Sequence, residues 1–316
     1  MNETGSKLTA ANLRPFHLLT SVFLFTLGAG IADYLGWEIS PGVYLLGQLW
    51  LVSLQLGFFL FGDYMQIPLI SSLFEHLKAL REVSAEVEDE EEKEEETESR
   101  REESDFQIQL WLAVLFLLLV AGLTTLMGYQ QMLSPISITI MSMLFVGYAI
   151  YVIPDLVRRF WMFREAAFSL LLVVLPVGLG YTLQTGDYHR LLSLSTFPLY
   201  PLHLAFLLIL QLISYRDDLA SKRKTLFTAV GWVRGVALHN YLIITGFLIL
   251  GVSLFFDFPL AFVLPSLTAL FPGSYLVWYL NRLAKGAPER RALMLTLSLI
   301  TFFVPVYYLL FSFWSY

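Results

Sequence analysis

Nine apolar stretches of about 20 residues each, mostly joined by short polar connectors, dominate this 316-residue chain. They fall at roughly 16–36, 43–62, 107–127, 133–153, 166–184, 191–213, 238–256, 258–280 and 292–314. Hydrocarbon offers no partner to a backbone N–H or C=O, so a crossing segment must satisfy its own backbone, and a helix that does so needs about 20 apolar residues. The composition points the same way: 57% of residues are hydrophobic and only 15% charged, against about a quarter charged in soluble domains. The chain is therefore expected to be an all-α membrane protein, a single integral membrane domain over residues 1–316 with about nine transmembrane helices. The run after Lys7 and Arg14 continues to about Gly36 without a small-residue cleavage site, so it reads as a first span and not as a signal peptide.

Lysine and arginine fix the expected direction. Let the N-terminus lie in the cytoplasm and let the loops alternate. The inner segments then hold Lys7, Arg14, the bases of the loop after the second stretch, Arg158, Arg159, Arg164, Arg216, Lys222, Arg223, Lys224, Arg234, Arg282, Lys285, Arg290 and Arg291, and the outer side holds Arg190 alone. Such a bias follows the positive-inside rule, and one missed span would scramble it. A multi-pass protein of the cell membrane with its working face in the cytoplasm is the expectation.

Two inner loops are long. The first contains a cytoplasmic insert at 69–105. Its opening places apolar residues at 69, 70, 73, 74, 77 and 80, the spacing of a helix lying on a membrane surface. Its remainder is acidic: fourteen of the chain's twenty-six acidic residues lie between Arg81 and Asp105, which by itself turns the net charge to −6. Like-charge blocks of this kind stay solvated and partly helical or disordered, and a basic protein partner is the other use of such a surface.

The second long inner loop, 214–237, follows the sixth stretch and opens with Arg216, Asp217 and Asp218. Asp63 ends the second stretch on the same expected side. Two carboxylate groups at one membrane face suit a hard cation held against a phosphate, or else ordinary interfacial ion pairs. Cysteine is absent, which excludes disulfides and thiolate metal sites. The five histidines show no ligand spacing, and His203 and Gln211, inside the sixth stretch, are expected to make hydrogen bonds between helices. No phosphate loop or nucleophile elbow is present, and no nucleic-acid partner is expected.

Several short motifs occur in order along these spans. They are Leu13-Arg14-Pro15; Tyr151-Val-Ile-Pro154 followed by Leu156 and Glu165; Gly180-Tyr-Thr-Leu-Gln-Thr-Gly186, which contains Gln184; Phe197-Pro198; and Arg216-Asp217 with Thr225-Leu226 and Gly231. In that order on nine spans, the chain resembles the UbiA superfamily of intramembrane prenyltransferases. Its nearest branch is the 1,4-dihydroxy-2-naphthoate polyprenyltransferases of menaquinone biosynthesis. The resemblance implies a nine-helix UbiA-like bundle, a prenyl diphosphate donor, a hydrophobic quinone-precursor or lipid-like acceptor, and Mg²⁺ held by aspartates after the second and sixth spans.

Those aspartates are depleted. Where the family carries Asn-Asp-x-x-Asp-x-x-x-Asp, this chain has Gly62-Asp63-Tyr64-Met65-Gln66-Ile67-Pro68-Leu69-Ile70. The second motif has Ser221 or Lys222 where another aspartate belongs. What remains for metal and diphosphate is Asp63, Asp217 and Asp218, with Arg158, Arg159, Arg216, Lys222, Arg223 and Lys224 as fixed positive charge. The resemblance thus implies a membrane prenyltransferase with a weakened metal site. The alternative is a non-catalytic descendant that binds lipid or scaffolds partners. A transporter fits least, because the polar groups cluster at one face and the midplane is nearly free of charge.

Overall fold

Packing against one another is what shapes these helices. The computed structural model describes residues 10–66, 91–152, 163–220 and 224–315, with side chains from Pro15 and excluding 63–66 and 91–106. Among the described residues there is no strand, and nine helical segments are long and apolar enough to span a bilayer. The insert's amphipathic stretch at 69–80 lies outside the described residues.

The first four spans belong to α1 (Ala10–Tyr34), α2 (Pro41–Gln66), α3 (Glu91–Tyr129) and α4 (Pro135–Val152). Proline at the first helical position of α2 and α4 forfeits an N–H that has no intrahelical partner there, and Ser134 caps α4 by accepting from the Ser137 N–H at 3.1 Å. The acidic stretch from Glu91 onward is not separate from the third span. It continues α3 as a single 39-residue helix, extending it roughly 24 Å beyond the apolar part. Glu, Lys and Arg are strong helix formers, and acids suit the positive N-terminal end of a helix dipole.

The fifth span starts as α5 (Arg164–Ser169), widens into a π-helical turn (Leu170–Val174) and resumes as α6 (Leu175–Thr185). Pro176 explains the widening. It has no N–H for the carbonyl four residues back and its ring crowds that carbonyl, so the preceding turn loosens. Gly186, at φ 73°, closes α6 in the left-handed region.

The sixth span is α7 (Arg190–Ala220), 31 residues long, or roughly 46 Å against a hydrocarbon thickness near 30 Å. Asp217 and Asp218 therefore stand on helix, beyond the apolar part, and much of the expected 214–237 loop is helical. A one-turn α8 (Leu226–Val230) precedes α9 (Trp232–Val252). The seventh and eighth spans meet in a tight turn, where Asp257 adopts a left-handed φ of 59°. The eighth span comprises α10 (Leu260–Ser266) and α11 (Leu270–Leu283), and α12 (Arg291–Ser315) is the ninth.

The fifth and sixth spans are the most enclosed, with 72% and 78% of their apolar windows buried; the third and fourth, at 22% and 28%, face outward. Where α1 crosses α6 the backbones touch. A Cβ on Gly28 would sit 2.0 Å from the Val177 carbonyl oxygen, and one on Gly180 would sit 2.1 Å from that of Phe25. Without a hydrophobic drive between helices in lipid, such close approach through small residues supplies the packing. At the end holding Arg190, that residue pairs with Asp257 at 3.5 Å, linking two connecting turns.

Candidate functional site

One face of α7 carries polar side chains at helical spacing: Tyr200, His203, Gln211, Ser214 and Asp218. They run from the middle of the span to its basic end, and α5 lies against them. Tyr200 donates to the Ala166 carbonyl at 3.2 Å. Ser169 and His203 Nδ1 share a hydrogen bond of 2.9 Å. Gln211 donates to Glu165 Oε1 and, through its own oxygen, accepts the Phe227 N–H at 3.0 Å. His203 and Gln211 thus make the expected bonds between helices. Gln211 joins three elements, tying the first turn of the fifth span to the small helix α8.

Around this seam the interior is aromatic and polar together. His17 packs edge-on to Phe168 at 5.0 Å and near Phe59 at 6.4 Å. Tyr151 stacks on Phe168 at 4.4 Å. Tyr148, fully buried, accepts from Gln55 at 2.8 Å, and Gln55 also donates to Ser21. Four buried atoms in this group have no hydrogen-bond partner among the described residues: Glu165 Oε2, His203 Nε2, His17 Nδ1 and Gln55 Oε1. A buried polar atom left without a partner costs about 1–3 kcal/mol, and such atoms are rare in native structures. The four lie on neighbouring helices of the interior, on α1, α2, α5 and α7. Chemically, Glu165 offers one held and one open carboxyl oxygen, the imidazoles offer a donor or an acceptor, and the rings offer faces that stabilise a cation.

The residues singled out in the sequence are divided by the fold. Glu165 (buried), Asp218 (buried), Tyr151 and Thr225 come to the basic end. Thr225 caps α8 in a reciprocal box with Thr228. Tyr151 lies against Arg164, whose guanidinium sits 4.8 Å from the ring centroid and donates to the hydroxyl at 3.2 Å. Gln184 is at the opposite end, where its oxygen accepts the Ser40 N–H at 2.9 Å ahead of α2. Arg216, Asp217 and Lys224 are exposed. Asp63 falls in the last turn of α2 and Arg14 in the first turns of α1, with side chains outside the described residues, as are Pro154, Arg158, Arg159, Lys222 and Arg223.

For Mg²⁺, the described carboxylates do not make a site by themselves. Asp217 and Asp218 turn to different sides of α7, Asp218 accepts from Ser214 at 3.0 Å, and among the described residues no three His, Asp or Glu side chains gather as ligands.

Arg164, Ser169, Gln55, Ser21 and His17 were not marked as site residues by their sequence. The spacing of Tyr200, His203, Gln211, Ser214 and Asp218 along one helix face is the signal that could have located the seam. No protein-family model matches the chain, and comparison with curated proteins returns no match.

Proposed function

We propose that this chain is an intramembrane prenyltransferase of the UbiA type, with its N-terminus and basic end in the cytoplasm. It would transfer a prenyl group from a prenyl diphosphate to a hydrophobic, quinone-precursor or lipid-like acceptor. Beyond the ordered motifs, the observation that carries this is the interior cluster of unpaired polar atoms beneath the basic end. It is polar enough to orient an acceptor and aromatic enough to shelter an allylic cation. The donor's diphosphate would rest among the cations of that end: Arg216 and Lys224 and, outside the described residues, Arg158, Arg159, Lys222 and Arg223.

In the transfer, the allylic C–O bond breaks and its electron pair leaves with the diphosphate. A nucleophilic carbon of the acceptor then bonds the allylic carbon and releases a proton. Preorganised positive charge on the departing diphosphate provides most of the acceleration. Glu165 Oε2 is the open acceptor for the released proton, with Oε1 held by Gln211. No step is routed through Mg²⁺, whose described donor set is incomplete.

A second reading is specifically favoured by the aspartate losses at Gln66, Ile70 and Ser221 and by the exposure of Asp217: the same interior binds the prenyl lipid without turnover. Purified protein incubated with labelled prenyl diphosphate and aromatic acids, with and without Mg²⁺, separates the two. Transfer that falls about 10²-fold or more in Glu165→Gln supports the enzyme. Binding without product establishes the second reading, and absence of binding refutes both.

A further inference from the structure

On the outer side of the fourth and fifth spans, away from the seam, an elongated cavity of about 590 Å³ opens between α4 and the α5–π–α6 run. Its walls are apolar, formed by residues such as Met143, Val146, Ile150, Ala167 and Leu170. These side chains are exposed and the fourth span faces outward, so the cavity opens toward the bilayer and not into the bundle. From Thr139 to Tyr151 it follows α4 for roughly 18 Å, close to the roughly 15 Å depth of one leaflet's hydrocarbon. Its volume falls within the range of specific ligand pockets.

One end of this trench is charged. Arg164 begins α5 there, half-buried, with its guanidinium over the Tyr151 ring and bonded to the Tyr151 hydroxyl. The other face of that ring is stacked on Phe168, so the pair is held rigidly before any ligand arrives. No carboxylate forms an ion pair with Arg164 among the described residues. Glu165, its neighbour, turns inward to Gln211. The Tyr151 hydroxyl accepts from Arg164 and still has its own hydrogen to donate. A cation and a hydroxyl donor thus meet at the head of an apolar trench one leaflet long.

We propose that this groove binds one anionic phospholipid of the surrounding leaflet, with an acyl chain along α4 and the phosphodiester on Arg164 and Tyr151. The charge calls for an anion, the length matches a single leaflet's chain, and opening to the bilayer lets a membrane lipid enter sideways. An Arg–phosphate contact at such a partly buried position is charge-assisted and geometrically specific.

The test uses the delipidated full chain in detergent, titrated with phosphatidylglycerol or phosphatidylcholine of identical acyl chains and read by native mass spectrometry. Phosphatidylglycerol should bind about tenfold more tightly. Arg164→Gln should reduce it to the phosphatidylcholine level, while Arg216→Gln, an exposed cation elsewhere at the same end, leaves the preference intact. Ala167→Trp, which fills the trench from an exposed position, should weaken both lipids about tenfold and keep their ratio. A headgroup preference that survives Arg164→Gln overturns the proposal, as does unchanged phosphatidylglycerol binding in Ala167→Trp. Displacement of the lipid by equimolar prenyl diphosphate also overturns it, by giving the trench to the transfer donor. None of these readouts depends on transfer activity, so they stand or fall apart from it.

Discussion

Replacing Gln211 by Leu should reveal how the fifth and sixth spans are locked. In the folded chain Gln211 donates to Glu165 and accepts from the Phe227 backbone, so the substitution strands two groups at once. Each buried group left without a partner costs about 1–3 kcal/mol, whereas an interhelical hydrogen bond in a bilayer contributes only about 0.6–1.7 kcal/mol. The stranding terms therefore dominate, and Gln211→Leu is expected to lose about 2–6 kcal/mol. The Glu165 share of that loss has an unusual property: it vanishes when the carboxyl is removed as well. The double variant Glu165→Leu/Gln211→Leu leaves only the Phe227 N–H unpaired. It should be more stable than Gln211→Leu alone by about 1–3 kcal/mol. Equilibrium unfolding in mixed micelles, followed by circular dichroism across the four-protein cycle, measures this directly. A double variant no more stable than the single one would show that Glu165 is not a dependent partner of Gln211, and the seam as described would be wrong.

The crossing of α1 and α6 gives the sharpest steric outcome: Gly28→Ala and Gly180→Ala each push a methyl into a backbone carbonyl. Each should lower stability by about 3 kcal/mol or more, while Gly122→Ala, with open space around it, should change it by less than about 1 kcal/mol; melting in detergent distinguishes them. At the turn between the seventh and eighth spans, Asp257→Gly gives up an exposed ion pair worth about 0–1 kcal/mol and relieves about 1 kcal/mol of left-handed strain. Its melting temperature should stay near that of the parent, and a large fall would contradict the geometry. The proposed direction can be read from single cysteines, since the chain has none. Lys224→Cys should react with an impermeant maleimide only from the cytoplasmic side of oriented vesicles, and Tyr188→Cys only from the other; the reverse pattern, or labelling of both from one side, refutes the orientation.

The seam shows why parts of the site were legible in the sequence and parts were not. Gln211 and His203 stood out because a polar side chain within an apolar span must find a partner inside the bundle. Their partners Glu165 and Ser169 are more than thirty positions away along the chain, and nothing in the spacing pairs them. Gln184 and Glu165 looked equivalent as members of ordered motifs, yet they lie at opposite ends of one span, one positioned near Ser40 and the other in the seam. Asp217 and Asp218 differ by one residue and by about 100° of helix rotation, which is enough to expose one and bury the other.

The sequence by itself determined the helical class, the nine apolar spans and the concentration of charge at one end. All of these follow from the need of each segment to satisfy its own backbone in hydrocarbon, a local condition written in local residues. Only the tertiary structure decided which face of each helix turns inward, and with it the Glu165–Gln211–Phe227 link, the unpaired atoms around His17 and His203, and the trench headed by Arg164. Those depend on the rotation and depth at which helices dock, set here by contacts such as Gly28 against Val177 and Gly180 against Phe25, and helices distant in sequence share no local signal that fixes that rotation.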